Sequence, residues 1–151
     1  MDKRYNPTEV EEKWVDIWSK NVFFNKDAKN TFSQVIPPPN VTGTLHMGHS
    51  FQYAIMDFYT RYNHMSGKKS HWQVGTDHAG IATQLVVENN LSKKNISRLQ
   101  LGRDEFLNEV WKWKDFSEEK IQSQIKRLGS SVDWSKYRLS LIHISEPTRH
   151  E

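Results

Sequence analysis

Residues 37–49, Pro-Pro-Pro-Asn-Val-Thr-Gly-Thr-Leu-His-Met-Gly-His, limit what this 151-residue chain can fold into more than any other stretch. Proline lacks an amide N–H and biases its predecessor toward extended backbone, so the apolar strand over 31–36 must stop where the prolines begin. Past the loop, Phe51, Ala54, Ile55, Phe58, Tyr59 and Tyr62 recur at spacings of three and four, which predicts a helix with one buried stripe. The order is strand, rigid loop, helix. In open α/β sheets a loop at the carboxyl end of a strand is where ligands bind.

The first turn of that helix carries His46 and His49, three residues apart and so on one face. A helix N-terminus leaves about four N–H groups without partners and carries roughly half a positive charge. Gly48 lets a ligand approach the backbone, Thr42 and Thr44 add hydroxyl donors, and the imidazoles can donate to phosphate oxygens. The expected ligand is the triphosphate of ATP. Two other readings stay open on spacing alone: the histidines only cap the helix, or they join His64, His71, Asp77 and His78 in a zinc site. The zinc reading lacks an H-E-x-x-H pattern, and the chain has no cysteine.

A second motif, Val74-Gly-Thr-Asp-His-Ala-Gly-Ile-Ala-Thr-Gln84, again leads from a short apolar run through a glycine-bracketed turn into a helical pattern. Asp77 in such a turn reads as a helix cap or as a carboxylate that takes the ammonium of a small ligand. Elsewhere, Asn6, Pro7 and Glu9 mark a helix start, followed by an apolar stripe of Val10, Trp14, Ile17 and Trp18 expected to dock on the main domain. The polar, basic stretch 89–103 reads as a surface connection. Phe106, Val110, Trp113, Ile121, Ile125 and Leu128 predict a long helix ended by Gly129, its tryptophans packing rather than stacking on bases.

Taken together, the two motifs resemble those of the class I aminoacyl-tRNA synthetases. The first is similar to the HIGH region, and Gly-Thr-Asp-His-Ala-Gly-Ile-Ala-Thr-Gln is similar to its valyl version, as is Arg127-Leu-Gly-Ser-Ser-Val-Asp-Trp134. The resemblance runs from Tyr5 to about Tyr137. It implies the N-terminal part of a Rossmann-like α/β nucleotide-binding fold, an incomplete parallel sheet with flanking helices. It implies that His46 and His49, with Gly48, hold and polarise the ATP phosphates, and that Thr44 lies beside the nucleotide. The carbonyl of Pro38 and the carboxylate of Asp77 are implied to bind the amino group of valine, with Asn40 in the amino-acid pocket. Met47 stands where the motif's name has isoleucine, and is expected to point into the core.

The implied chemistry is attack of the valine carboxylate on the α-phosphorus of ATP, with Mg²⁺, and then transfer of the valyl group to tRNA(Val). In-line positioning and charge stabilisation carry such a step. The implied organisation is a helical extension over 1–30, the first half of the catalytic domain over 31–138, and a tail over 139–151. That tail is similar to a translated sequencing adapter, which would leave His143 without a role. The KMSKS loop, the second half of the fold, the editing insertion and the anticodon-binding helices have no counterpart in the chain, so it is expected not to charge tRNA alone. Net charge of +3 permits an RNA partner without arguing for one. Zero cysteines and no long apolar run fit a cytoplasmic protein with no membrane association, and a monomer is expected.

Overall fold

The computed structural model describes residues 4–20 and 28–140. Its elements run α1 (Pro7–Lys20), β1 (Thr31–Val35), α2 (Met47–Met65), β2 (Lys69–Gln73), β3 (Gly75–Asp77), α3 (Ile81–Ser92), α4 (Arg98–Leu101), α5 (Arg103–Arg127) and β4 (Arg138–Ser140). They group into two compact units. Of the described residues, the first holds those up to Ile36, then His46–Val74 and Ser123–Tyr137; the second holds Pro37–Leu45, Gly75–Gln122 and those from 138 to 140.

In the first unit β1 and β2 pair in parallel, Thr31 opposite Lys69 through Val35 opposite Gln73, with α2 as the crossover helix. Ile36, Tyr53, Trp72, Val74 and Ile125 are its fully buried large side chains. The inner face of α2 is Tyr53, Thr60 and Asn63. The expected buried stripe is therefore wrong. Phe51, Ile55, Phe58, Tyr59 and Tyr62 are exposed, Phe51 by 70% and Phe58 by 64%. Periodicity found the helix correctly but identified its face wrongly, because the side turned to the sheet is held by polar bonds as well as packing. Gln34 on β1 donates to the Met56 carbonyl at 2.6 Å and to the Thr60 hydroxyl.

On α2, Asp57 and Arg61 fasten the segment after α5. Asp57 Oδ1 accepts from the Ser131 N–H at 2.8 Å and from its hydroxyl at 2.6 Å, while Oδ2 pairs with Arg61 at 2.7 Å. Arg61 donates on to the Gly129 carbonyl at 2.7 Å and lies 5.3 Å from the Trp18 ring centroid. Gly129 ends α5 as expected, at φ +69°, and a Cβ there would meet Trp18 at 2.4 Å. Trp18 thus brings α1 onto this corner, the docking the stripe of α1 implied.

In the second unit β3 pairs in parallel with β4, Gly75 opposite Arg138 and Asp77 opposite Ser140. Val87, Leu91 and Phe106 form a core that Ile96, Leu101, Val110 and Trp113 complete. The stretch 89–103 is more structured than a surface connection. It contains the C-terminal turn of α3 and the short α4, which Ser97 and Gln100 start with a reciprocal capping box. Trp113 packs as expected, but Trp111 is 54% exposed. Residues 139 and 140 lie in β4, and the rest of the expected tail lies outside the described residues.

Candidate functional site: the histidine-capped turn and the Asp77 turn

After the prolines the chain turns over 41–43, and His46, in extended geometry at φ −124° and ψ 176°, is the N-cap of α2. His46 Nδ1 accepts from the Gly48 N–H at 3.1 Å, and His49 Nδ1 accepts from the His46 N–H at 3.3 Å. This is a capping box in which two imidazoles replace the usual hydroxyl and carboxylate. The ring centroids are 4.0 Å apart. An Nδ1 that accepts carries no proton, so each neutral ring holds its proton on Nε2 and keeps it as a donor. Burial first, and then the neighbouring His46, hold the His49 pKa below the ordinary imidazole value.

Capping the helix and donating to an anion are thus compatible uses of the same two rings, one nitrogen for each. Gly48 has a structural reason too: a Cβ there would lie 2.9 Å from His46 Cε1 and push the ring out of its cap. Met47 corrects an expectation. It is 81% exposed and does not enter the core, because N1 of a capped helix faces away from the sheet that Tyr53 and Thr60 cover.

Thr44, Pro38, Asn40 and Asp77 fall in the second unit, and His46, Gly48 and His49 in the first. Within the second unit the proline-rich loop is pinned to β3. The Pro39 carbonyl accepts from the Asp77 N–H at 2.9 Å, the Val41 N–H donates to the Asp77 carbonyl at 2.9 Å, and Asn40 bridges Asp77 in parallel. Pro38, Asn40 and Thr44 are exposed along this loop. Asp77 is not a helix cap: α3 starts at Gly80, with no side-chain cap. Its Oδ1 instead accepts from the Ala79 N–H at 2.8 Å, closing a turn in which Ala79 takes φ +55°. Its Oδ2 has no partner among the described residues. His78 donates from Nδ1 to the Ser140 carbonyl at 2.7 Å.

Two residues outside the expected site hold the loop: Trp113, expected only to pack, and Ser117, which no sequence signal singled out. Trp113 Nε1 donates to the Val41 carbonyl at 2.9 Å, and the Ser117 hydroxyl to the Gly43 carbonyl at 3.1 Å. Both lie on α5, one turn apart, more than 70 positions from the loop. Only the helical spacing of Trp113 and Ser117 hints that they share a face. Among the described residues no three histidine, aspartate or glutamate side chains converge as metal ligands, so the zinc reading has no geometry behind it.

Residues 11–147 match the family model described as tRNA synthetases class I (I, L, M and V). The chain belongs to that family. It is 56% identical over 138 residues to the valine–tRNA ligase of Acinetobacter baylyi, covering 91% of this chain and 14% of that protein. It is 51% identical over 144 residues to the valine–tRNA ligase of Francisella tularensis, covering 93% and 16%. It therefore spans about one-seventh of the length of the curated relatives it matches. Among solved structures, a leucyl-tRNA synthetase from Agrobacterium radiobacter K84, crystallised with tRNA and LeuAMS, superposes with a TM-score of 0.69 at 17% identity, covering 90% of this chain and 16% of that one. That likeness concerns fold alone, and it agrees with the parallel pairs and crossover helix. The chain is a fragment of a Rossmann-like class I synthetase fold. Among the described residues no helix is long and apolar enough to cross a membrane.

Proposed function

We propose that this chain is part of the catalytic domain of a valine–tRNA ligase, which activates valine with ATP to valyl-adenylate and then charges tRNA(Val). The observation that carries the reading is the histidine-capped turn, Thr44-Leu-His-Met-Gly-His49, in a chain 56% identical to one such ligase. The Nε2–H groups of His46 and His49 donate to ATP phosphate oxygens, and the helix N-terminus adds its dipole. Thr44 supplies a hydroxyl to the nucleotide. The Oδ2 of Asp77 and the carbonyl of Pro38 accept from the ammonium of valine, and Asn40 contributes to the amino-acid pocket.

The reaction forms a carboxylate-oxygen bond to the α-phosphorus and releases pyrophosphate, so these residues bind, orient and stabilise charge rather than form a covalent bond. Mg²⁺ carried by ATP would offset phosphate charge; among the described residues no three histidine, aspartate or glutamate side chains converge to hold it. The enzyme works as a cytoplasmic monomer, and residues 1–151 alone do not charge tRNA.

Amino-acid-dependent ATP–pyrophosphate exchange by the full-length protein tests the reading. Exchange with valine at least tenfold above isoleucine and leucine is expected, together with a raised valine KM in Asp77→Asn. No valine-dependent exchange, or robust exchange by residues 1–151 alone, contradicts it.

A further inference from the structure

The second unit carries a groove of about 440 Å³ between the end of α3 and one face of α5, its floor shared with the core through Val87, Leu91 and Trp113. Three lysines, Lys93, Lys94 and Lys112, line it against one glutamate, Glu109. Glu109 is spent on Lys112 at 2.6 Å. The aromatic wall is Trp113 and Phe116, centroids 5.8 Å apart. Trp113 is locked by its bond to the Val41 carbonyl, whereas Phe116 is 57% exposed and has Lys120 Nζ 5.7 Å from its ring centroid. Lys112, Phe116 and Lys120 follow one another at intervals of four, so a cation, a ring and a cation line up along one helix face.

Lysines at a helix C-terminus, as at α3, complement its dipole. That does not account for an exposed phenylalanine between two further lysines. Cations alternating with an exposed aromatic ring are the elements of a single-strand nucleic-acid site, where phosphates pair with lysine and a base stacks on the ring. An acidic peptide would use the lysines and leave the ring without a planar partner.

We propose that this groove binds a single-stranded segment of RNA, with Lys93 and Lys94 on phosphates and a base on Phe116. The choice of RNA over DNA rests on the ligase reading; the strand-binding chemistry does not. Fluorescence anisotropy with a labelled single-stranded RNA oligonucleotide and the 151-residue chain tests it.

The Lys93→Ala/Lys94→Ala pair should weaken binding roughly tenfold and reduce the salt slope by about 1.4, at ~0.7 for each phosphate contact. Phe116→Ala should weaken it at least about fivefold, the low end of one stacked base. His46→Ala/His49→Ala should bind the RNA as wild type does, so that failure of the ATP-site reading leaves this result standing. In the wild-type chain, RNA should also protect Lys93 and Lys94 from acetylation, a readout that needs no variant. Affinity unchanged in the lysine pair, no protection, or polyglutamate competing as well as RNA overturns the proposal. DNA binding equal to RNA binding overturns the choice of RNA.

Discussion

Gly48 shows how much one missing side chain does. In Gly48→Ala the new Cβ displaces the His46 ring, and about 1 kcal/mol of cap is lost. Alanine's better helix propensity returns a similar amount. Thermal denaturation should therefore move little, while pyrophosphate exchange by the full-length protein falls. A large loss of stability would show that the cap matters more than the ring's aim. The cap also depends on pH. The His49 pKa is lowered in the fold, so stability present above about pH 6.5 is lost as acid protonates the ring and its Nδ1 stops accepting. Tyr53 acts at the other end of the scale. Burial raises its pKa to about 12, and its hydroxyl is buried without a partner among the described residues. Folding stability should hold below pH 10 and drop between 10 and 12 as the unfolded phenol ionises first. Tyr53→Phe should remove that drop and stabilise the fold by about 1 kcal/mol at neutral pH, as chemical denaturation would measure.

Among the elements, α2 carries the most. Its start was legible because prolines, glycine and paired histidines each restrict the backbone locally, and its end because the pattern stops. Its buried face was not legible. Tyr53, Thr60 and Asn63 do not read as an apolar stripe, and the aromatic run of Phe51, Phe58 and Tyr62 outweighs them in any hydrophobic count. Sequence also hid the loop contacts of Trp113, read only as packing, and of Ser117, because they cross more than 70 residues. The joint of α2 with the end of α5 rests on Asp57. Asp57→Ala removes two bonds to Ser131 and leaves Arg61 without its carboxylate, so a loss of roughly 2–4 kcal/mol in denaturant melts is expected. A change below about 0.5 kcal/mol would mean that the Gly129 and Trp18 contacts hold this joint by themselves.

For the whole molecule, a run of large apolar side chains on α2 faces solvent, which monomeric soluble proteins rarely allow over a wide area. Residues 1–151 alone should bind a hydrophobic dye and self-associate, and serine at Phe51, Phe58 and Tyr62 should reduce both. Unchanged dye binding in that variant would place the sticky surface elsewhere. The family assignment needed none of this, because two motifs in order already pointed to it and the sequence comparison agrees. What sequence could not provide was the nitrogen that each imidazole gives to the cap: Nδ1 holds the helix, so the proposed grip on phosphate falls to Nε2. Pyrophosphate exchange by the full-length protein carrying His46→Ala or His49→Ala tests this most directly. A fall in kcat of about 100-fold or more, with the valine KM unchanged and the fold intact by circular dichroism, is the expected result. Exchange that stays within a few-fold of wild type would contradict it, and would leave the two histidines as a helix cap and nothing more.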